Sequence, residues 1–311
     1  MHIVFAESLG IAQSELEQIQ SRFTQMGHTM AFYTDRNELP EELIARMSDA
    51  DIVAISNIPL REQVLSHCPR LKMLSVGFTG LDHIDLNYCQ SHHISVVNAA
   101  GYSTTAVSEL AVGLMIDVMR RITQLHTATH SGGQRGTFLG SELRGKTIGI
   151  VGTGAIGTAT AKLLLAFGCN VIAHSRSERA SVSAMGVHYR SLNDLLKESD
   201  IVSLHVPLND NTFHLIGEQQ LATMRPGAIL INTARGNVVD MDALSAALRN
   251  GQLSGAAVDV YEKEPPLPSK HPLLQCENCI TVPHVGYATR ESFAIRKDIV
   301  VQNIVNFLAS K

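Results

Sequence analysis

The stretch IVGTGAIGTATAKLLLAFGCNVIAHSRSER, residues 150–179, is the part of the chain most informative about its fold. Gly152, Gly154 and Gly157 follow a predicted strand and open a predicted helix, so they form a G-x-G-x-x-G turn between the two elements. In such a turn the first glycine permits the tight bend, the second lets the backbone approach a pyrophosphate, and the third lets helix and strand pack closely. The start of the helix, at Ala155 and Ile156, presents N–H groups and the positive end of the helix dipole to the phosphates. The stretch therefore predicts a dinucleotide-binding site.

The residues after the next predicted strand indicate which dinucleotide is bound. That strand, NVIAH, ends at His174 and is followed by Ser175 and Arg176, where an Asp or Glu normally meets a free ribose 2′-hydroxyl. A carboxylate there would repel a 2′-phosphate, whereas a hydroxyl and a guanidinium can bind one through charge-assisted hydrogen bonds. We therefore predict NADP(H) as the preferred cofactor, with NAD(H) as the alternative. If Arg176 were merely a solvated loop residue, this reason for preferring NADP(H) would disappear.

Strands and helices alternate on both sides of this stretch. Short apolar runs such as HIVFAE, DIVAIS and LKMLSV alternate with helical patterns over about the first 100 residues, and the alternation restarts at KTIGIV. Strands that alternate with helices indicate a parallel sheet covered on both faces. The sequence therefore predicts an α/β protein with two doubly wound domains, one made of residues 1–100 and 286–311 and the other of residues 101–285.

Two connecting segments complete this prediction. Residues 103–130 keep a helical period of apolar positions and predict one long helix, capped by Ser103 or Thr104. The glycine-rich segment 129–145 that follows predicts a loop or linker. Residues 291–310 predict a last helix, which we expect to return to the first domain.

Composition and charge exclude several classes of protein. The chain has 311 residues, of which 45% are hydrophobic and 17% charged, which is typical of a soluble globular protein. A net charge of −4 without a basic block predicts no nucleic-acid partner. The first residues lack the pattern of a secretory signal, and Gly113 and Asp117 interrupt the longest apolar stretch, so we expect neither a leader nor a membrane span.

The five scattered cysteines predict reduced thiols and a cytoplasmic location. Cys276 and Cys279 form a C-x-x-C pair, but no second pair of ligands at similar spacing is present. We therefore predict that the chain has no metal site.

Three predicted strand ends in the second half of the chain carry polar side chains of different chemistry. Arg235 follows AILINT, Glu262 and Glu264 follow GAAVDV, and His284 follows CITV. Because ligands bind beyond the carboxyl ends of parallel strands, we expect these groups at one edge, beside the nicotinamide. A guanidinium suits the carboxylate and carbonyl of a 2-oxo acid, an imidazole can protonate the carbonyl oxygen, and a carboxylate can stabilise the protonated ring. The set predicts hydride transfer to a small 2-oxo acid, with Glu264 as the partner of His284.

The chain resembles the D-isomer-specific 2-hydroxyacid dehydrogenases over nearly its whole length. The motifs that carry the resemblance are GKTIGIVGTGAIG, LHVPLNDNT, INTARGNVVD, AAVDVYEKEPP and VPHVGYAT, in the order and spacing of that family. The resemblance implies a Rossmann cofactor domain hinged to a flavodoxin-like substrate domain, with a cleft that closes and excludes water around the hydride. It also implies a homodimer joined through the cofactor domain and the helix near residues 104–125.

The resemblance also implies roles for individual residues. Arg235, Glu264 and His284 correspond to the catalytic residues, and Glu264 rather than Glu262 is the acid because it precedes Pro265. The loop FTGLDHID is expected to hold the substrate carboxylate through backbone N–H groups, and Asp259 is expected near the nicotinamide. The expected substrate contacts are Phe78, Thr79, Gly80, Arg235 and His284. The expected cofactor contacts are Gly152, Gly154, Ala155, Ile156, Gly157, Ser175, Arg176, His205, Val206, Pro207, Thr212, Thr233, Ala234, Arg235, Asp259, His284 and Gly286.

Departures from the family pattern leave the substrate open. Tyr287 occupies a position that is commonly small, and the chain has no tryptophan, although the family often has one before the cofactor domain. Glyoxylate and hydroxypyruvate suit an NADP enzyme of this size, and 3-phosphoglycerate is an alternative that would require more cationic residues near FTGLDHID. A non-catalytic NAD(P)H-sensing protein on the same fold is a second alternative. A formate dehydrogenase, which typically pairs its histidine with glutamine, is disfavoured by Glu264.

Overall fold

The computed structural model describes residues 1–311, and the chain divides into two compact units. Unit 1 contains Met1–Ser103 and Ala288–Lys311, and unit 2 contains Thr104–Tyr287. Each unit is a parallel sheet with helices, so the predicted α/β class with two doubly wound domains is confirmed. The boundaries at residues 100 and 285 that the sequence predicts differ from these bounds by only a few residues.

Unit 1 is built on a five-stranded parallel sheet. Its strands are β1 His2–Phe5, β2 Thr29–Phe32, β3 Ile52–Ile55, β4 Met73–Val76 and β5 Ser95–Asn98. Its first four helices are α1 Gln13–Gln25, α2 Pro40–Met47, α3 Glu62–Leu65 and α4 Leu86–Ser91. The strand order is β2-β1-β3-β4-β5, which is the flavodoxin-like order. Every residue of β3 and β4 is buried, as expected for central strands with both faces covered.

Unit 2 is built on a seven-stranded parallel sheet. Its strands are β6 Thr147–Val151, β7 Asn170–His174, β8 His188–Tyr189, β9 Ile201–Leu204, β10 Ala228–Asn232, β11 Leu253–Val258 and β12 Cys279–Thr281. Its helices are α5 Thr104–Arg120, α6 Ile122–His130, α7 Ala155–Ala166, α8 Ala180–Ser183, α9 Leu192–Glu198, α10 Glu218–Thr223 and α11 Met241–Arg249, with short 3-10 helices at Gly236–Val238 and Pro272–Gln275. The strand order β12-β11-β10-β9-β6-β7-β8 is the Rossmann order with one further strand.

The prediction of one continuous helix over residues 103–130 is wrong, because the helix breaks at Arg121. The backbone of Arg121 has φ +52°, in the left-handed region, which ends α5 and redirects the chain into α6. The Asp117 carboxylate accepts hydrogen bonds from the Thr123 N–H at 2.9 Å and the Thr123 hydroxyl at 2.5 Å. These bonds satisfy an N–H group in the first turn of α6 and stabilise the break. Apolar periodicity alone does not reveal such a side-chain bond.

The last helix, α12 Arg290–Ala309, belongs to unit 1 as predicted. It packs against β4, where the Ser75 hydroxyl donates a hydrogen bond to the Val300 carbonyl at 3.2 Å. No helix of the structure has the length and apolar character needed to cross a bilayer. All five cysteines are free thiols.

Each sheet has one topological switch point, a pair of neighbouring strands from which the chain winds in opposite directions. It lies between β1 and β3 in unit 1 and between β6 and β9 in unit 2. Ligands of doubly wound sheets bind beyond the carboxyl ends of the strands at such a point. The glycine turn directly follows β6, which places it at the switch point of unit 2.

Candidate active site

In the turn after β6, the presence of glycine has a different structural reason at each of the three positions. Gly152 has φ +100°, and a Cβ there would lie 2.5 Å from the carbonyl oxygen of His205. A Cβ at Gly157 would lie 1.9 Å from the carbonyl oxygen of Gly152, so only glycine lets α7 start this close to the strand. A Cβ at Gly154 would meet no protein atom within 4 Å. Gly154 therefore faces open space, as a residue that a pyrophosphate approaches would do.

The start of α7 is available to an anion. Gly154 is the residue before the first turn, and no side chain caps the helix. Ala155 is exposed and Ile156 is half-buried. Because the first N–H groups of a helix have no partner within the helix, this turn is suited to holding a phosphate.

Ser175 and Arg176 follow β7 directly beside the glycine turn. The register of the sheet pairs Val151 with His174, and the Gly152 N–H donates to the His174 carbonyl at 2.8 Å. Ser175 is half-buried and Arg176 is exposed. The next carboxylate along the chain, Glu178, is exposed in the same loop.

Tyr189, which sequence reasoning missed, ties this loop to the glycine turn. Its hydroxyl donates to Oγ1 of Thr153 at 3.0 Å and accepts a hydrogen bond from the Arg179 N–H at 3.1 Å. Thr153 is buried between Gly152 and Gly154. A lone tyrosine on a two-residue strand gives no sequence pattern from which this role could be recognised.

Two buried polar atoms at this edge of the sheet have no hydrogen-bond partner. They are Nδ1 of His205, just past β9, and Oγ1 of Thr233, just past β10. Burial lowers the pKa of His205 to about 4, so its imidazole is neutral near pH 7, and Nε2 lies 3.0 Å from the Ser203 hydroxyl. A dinucleotide carries polar groups that could satisfy such atoms, so these residues fit the cofactor predicted from the sequence.

The remaining predicted cofactor contacts lie in the loops after β9 and β10. Val206 and Ala234 are half-buried, and Pro207 is exposed. The Thr212 hydroxyl donates to the Pro207 carbonyl at 2.6 Å and therefore closes the loop after β9. This contact gives Thr212 a structural function in the loop.

Arg235 is presented by a loop that two residues hold in place. Asn232, fully buried at the end of β10, accepts the Ala234 N–H at 3.1 Å and donates to the Arg235 carbonyl at 3.0 Å. A Cβ at Gly236 would lie 1.9 Å from the backbone carbon of Tyr261, so the two backbones touch. Sequence reasoning missed Asn232, for which a polar residue ending an apolar run was the only signal.

His284 lies beside Glu264. Its Nδ1 is 2.9 Å from Oε1 of Glu264, and the histidine side chain is 15% exposed. Glu262 instead faces Nε2 of His271 at 3.3 Å. The structure therefore separates the two glutamates that follow β11 and pairs Glu264 with His284.

Asp259 holds the loop that carries His284. Its two carboxylate oxygens accept the N–H groups of Val285 at 2.7 Å and Gly286 at 2.8 Å. His284 itself has φ +52°, a left-handed conformation that costs energy in a residue with a side chain. Burial raises the pKa of Asp259, against the lowering effect of the two N–H bonds and the charge of His284. The structure gives this carboxylate a positioning function, and the contact with the nicotinamide that the resemblance implies stays a prediction.

The strand order brings these groups to one edge. β10, β11 and β12 are neighbours in a parallel sheet, so their carboxyl ends point the same way. Arg235, Asp259 and His284 each follow one of these strands within a few residues. The arrangement can bind an anion with a guanidinium and move a proton with an imidazole.

In unit 1, the loop after β4 turns backbone N–H groups outward. The Phe78 carbonyl accepts the Ala99 N–H at 3.1 Å, and the Thr79 carbonyl accepts Nδ2 of Asn98 at 2.7 Å. In a trans peptide the N–H points opposite to the carbonyl, so the amides of Thr79 and Gly80 face away from β5. Successive outward amides can hold an anion, and we name Thr79 and Gly80 the amide cradle. Phe78 contributes a buried ring that packs near Tyr102, with ring centroids 6.2 Å apart.

Comparison with known proteins is consistent with this geometry. The family model described as D-isomer specific 2-hydroxyacid dehydrogenase, NAD binding domain, matches residues 112–286. The glyoxylate reductase of Thermofilum pendens is 40% identical over 276 residues, which cover 86% of this chain and 81% of that protein.

Two solved structures are also similar to the whole chain. D-lactate dehydrogenase from Aquifex aeolicus, complexed with NAD and lactic acid, is 30% identical with a TM-score of 0.87, covering 100% of this chain and 96% of that chain. The acyclic imino acid reductase Bsp5, in complex with NADPH and D-Arg, is 31% identical with a TM-score of 0.89, covering 100% and 98% of the two chains.

Proposed function

This chain belongs to the D-isomer-specific 2-hydroxyacid dehydrogenase family, and from that premise we propose that it reduces a small 2-oxo acid to the D-2-hydroxy acid. Glyoxylate and hydroxypyruvate are the proposed substrates. The observation that carries the proposal is the pair of His284 and Glu264, 2.9 Å apart at the sheet edge that also bears Arg235. A proton donor, its carboxylate partner and a guanidinium form the set that reduction of a 2-oxo acid requires.

The proposed cofactor is held by unit 2. The glycine turn and the start of α7 would bind the pyrophosphate, and His205 and Thr233 would contribute hydrogen bonds from the neighbouring strand ends. When bound, the reduced nicotinamide supplies the hydride that reaches the carbonyl carbon of the substrate.

The proton that the reduction requires is proposed to come from His284, which is paired with Glu264. In the proposed mechanism the protonated imidazole donates its proton to the carbonyl oxygen, on which negative charge develops as the carbonyl is reduced. Glu264 at Nδ1 keeps the ring oriented and stabilises its positive charge. In the oxidative direction the neutral imidazole accepts the hydroxyl proton.

Arg235 is proposed to bind the substrate, and the resemblance to the family implies the same role for the amide cradle of unit 1. A guanidinium makes two parallel hydrogen bonds to a carboxylate or to a carboxylate and the adjacent carbonyl, which fixes the plane of the substrate. Thr79 and Gly80 would donate their amides to the carboxylate. Holding the substrate at several points keeps the carbonyl carbon in a reactive orientation.

We propose NADPH as the preferred cofactor because Ser175 and Arg176 stand where a carboxylate would exclude a 2′-phosphate. The test is the ratio of kcat/KM for NADPH to that for NADH in the wild type and in Ser175→Asp. We expect the wild type to favour NADPH and the variant to lose at least about 10-fold of that preference, because the new carboxylate repels the phosphate. A wild-type preference for NADH would contradict the proposal.

We further propose a homodimer joined through unit 2. The helix α6 buries none of its residues, and Ile122 and Leu139 on the same segment of chain are exposed apolar side chains. Exposed apolar surface of this kind is typical of an association site. A mass measured by light scattering that corresponds to one chain would contradict the homodimer.

We also propose a cytoplasmic location. The five free cysteines are consistent with it.

The decisive experiment is a substrate panel. Glyoxylate, hydroxypyruvate, pyruvate and 3-phosphohydroxypyruvate are each added to the protein with NADPH or NADH, and oxidation of the cofactor is followed by absorbance. We expect glyoxylate or hydroxypyruvate to give the highest kcat/KM. A clear preference for 3-phosphohydroxypyruvate would favour the phosphoglycerate dehydrogenase alternative, and NADPH binding without turnover of any 2-oxo acid would favour the sensor.

A further inference from the structure

The loop that follows β7, residues 175–179, is bonded to the rest of unit 2 only at its two ends. At the first end, the carbonyl of His174 accepts the Gly152 N–H at 2.8 Å. At the second end, the Arg179 N–H donates to the Tyr189 hydroxyl at 3.1 Å. The four residues before Arg179 make no hydrogen bond or ion pair, so the Tyr189 hydroxyl accepts the only hydrogen bond that the loop donates.

Tyr189 is itself held through its backbone, its ring and its hydroxyl. The register of the sheet pairs it with Ala173 of β7. Its half-buried ring packs against the apolar core that contains Ile150 and Ala161. Its hydroxyl donates to Oγ1 of Thr153, a buried residue of the glycine turn, at 3.0 Å. A side chain with three separate supports provides a fixed point for the loop that binds to it.

The glycine turn depends on Tyr189 less than the loop does, because the turn has hydrogen bonds of its own. The Thr153 carbonyl accepts the Thr158 hydroxyl at 3.2 Å, and the Gly154 carbonyl accepts the Thr158 N–H at 2.9 Å. Without the Tyr189 hydroxyl these bonds would still hold the turn, whereas residues 175–179 would lose their anchor. The two parts of the cofactor site should therefore respond differently to the loss of this one oxygen.

We propose that Tyr189 is a positioning residue for cofactor selectivity: it holds residues 175–179 in the conformation that receives a 2′-phosphate. The inference rests on the proposed function, because it takes Ser175 and Arg176 as the ligands of that phosphate. A loop that is anchored beforehand loses less conformational entropy when a ligand orders it. Tyr189 acts through the backbone of Arg179. Because the glycine turn binds the pyrophosphate that both cofactors carry, loss of the anchor should weaken NADPH more than NADH.

The test compares the two cofactors in the wild type and in Tyr189→Phe, which keeps the ring and removes the hydroxyl. The Kd values of NADPH and NADH are measured by the fluorescence of the reduced nicotinamide. We expect the Kd of NADPH to rise about fivefold, the scale of one neutral hydrogen bond, and that of NADH to stay within about twofold. With saturating NADPH and glyoxylate, kcat should also stay within about twofold, because the variant leaves the pair of His284 and Glu264 in place.

Thr153→Val removes the hydroxyl to which Tyr189 donates and leaves the bond from the Arg179 N–H in place. It should lower the preference for NADPH by about twofold, less than Tyr189→Phe does. In the double variant the preference should equal that of Tyr189→Phe, because the Tyr189–Thr153 bond is already lost there. Losses that add in the double variant would contradict the inference.

Tyr261→Phe is the matched control, because it removes a tyrosine hydroxyl from the same unit at the opposite side of the sheet. The Tyr261 hydroxyl lies 3.2 Å from the carbonyl oxygen of Val258 and 3.0 Å from that of Val282. The variant should lower the melting temperature and leave the ratio of the two Kd values unchanged.

The outcomes distinguish this inference from the proposed function. An unchanged ratio in Tyr189→Phe, equal weakening of both cofactors, or the same change of ratio in Tyr261→Phe overturns the inference alone. If Tyr189→Phe does not fold, Thr153→Val decides the matter, and an unchanged ratio there contradicts the inference. A preference of the wild type for NADH contradicts the proposed cofactor and the inference with it. Absence of 2-oxo acid turnover contradicts the proposed reaction, while the ratio of the Kd values still tests Tyr189.

Discussion

The two units have topological switch points of the same kind, but they use them in opposite ways. In unit 1 the buried carboxylate of Glu7 lies at the switch point and accepts the N–H groups of Ser56 at 2.7 Å and Ile58 at 3.0 Å. In unit 2 the corresponding place has the glycine turn, and the neighbouring His205 has a buried ring nitrogen without a partner. Parallel topology creates a crevice in both sheets, and the side chain after the first strand determines whether the protein or a ligand fills it.

The amino ends of the two sheets are alike. Asp51, before β3, accepts the His2 N–H at 2.8 Å, and Asp200, before β9, accepts the Thr147 N–H at 2.8 Å. Each aspartate also pairs with an arginine, Arg70 at 2.9 Å for Asp51 and Arg225 at 2.9 Å for Asp200. The two aspartates lie in similar sequences, SDADIVAIS at residues 48–56 and KESDIVSLH at residues 197–205, and they do the same thing in each sheet. The units share what stabilises the sheet and differ where a ligand binds.

The largest effect is expected at the carboxyl edge of unit 2. His284→Ala removes the proposed proton donor, and kcat for glyoxylate should fall by roughly 100-fold or more, with the Kd of NADPH unchanged. His271→Ala is the matched control, because His271 also faces a glutamate, with its Nε2 3.3 Å from Glu262, and kcat of this variant should stay within a few-fold of the wild type. Equal losses in both variants would mean that the His284–Glu264 pair has no special function.

At the switch point of unit 1 we expect a loss of stability and no loss of activity. Glu7→Ala leaves two buried N–H groups without an acceptor, and the free energy of unfolding should fall by about 3 kcal/mol in urea titrations. Glu7→Gln keeps an acceptor oxygen and should lose less. The kcat of the folded fraction should not change in either variant. A large loss of NADPH affinity in Glu7→Ala would break the distinction between the two switch points.

Asp51 and Glu7 should respond to pH in opposite directions. Burial alone would raise the pKa of Asp51, but hydrogen bonds from the His2 N–H, Lys72 and Arg70 outweigh it and hold the pKa at about 2. A depressed pKa stabilises the fold above the unfolded value near pH 4, and that contribution is lost as the pH falls through about 2. Asp51→Asn should therefore cost about 2 kcal/mol at pH 7, from a shift of nearly two pH units.

The cost of Asp51→Asn should shrink as the pH falls below about 4. For Glu7 burial dominates and raises the pKa, so its ionisation counts against the folded state, and its contribution becomes more favourable as the pH falls. Urea titrations of the wild type, Asp51→Asn and Glu7→Gln across this range measure both slopes. If the unfolding free energies of the two variants, relative to the wild type, changed with pH in the same direction, the opposite pKa directions of Asp51 and Glu7 would be contradicted.

The smallest effect concerns a single methyl group. Gly154→Ala places a Cβ where no protein atom lies within 4 Å, so the melting temperature should barely change. Because that space is where the pyrophosphate is proposed to lie, KM for NADPH should rise about 10-fold, or roughly 1.4 kcal/mol. Gly113→Ala, at a second glycine with open surroundings, should leave KM unchanged. An unchanged KM in Gly154→Ala would place the cofactor elsewhere.

The parts of the fold that the sequence predicts are those set by local pattern. Alternating apolar runs and helical periods predicted both sheets, and the spacing of Gly152, Gly154 and Gly157 predicted the turn at the switch point of unit 2. The strand ends predicted which polar groups share an edge. Each of these follows from residues adjacent in sequence, so no long-range contact is needed to infer it.

The parts that the sequence did not predict depend on individual side-chain and backbone contacts, some local and some between distant segments, that leave no repeating pattern in the sequence. The break at Arg121 is stabilised by the Asp117 side chain, and the position of Arg235 depends on Asn232 and on the contact of Gly236 with Tyr261. Asp259 and the loop it holds are separated by 26 residues. A buried Asn or Asp at a strand end has the same sequence context whether it binds a ligand or a loop, so only the structure distinguishes the two.

The location of α12 in unit 1 has a consequence for how the protein is made. Met1–Ser103 leave the ribosome before unit 2, but their sheet lacks one of its covering helices until all of unit 2 and then Arg290–Ala309 have been translated. At roughly 5–20 residues per second this delay is on the order of ten seconds or more. Unit 2 is continuous in sequence, so it can fold during this delay while unit 1 is still incomplete.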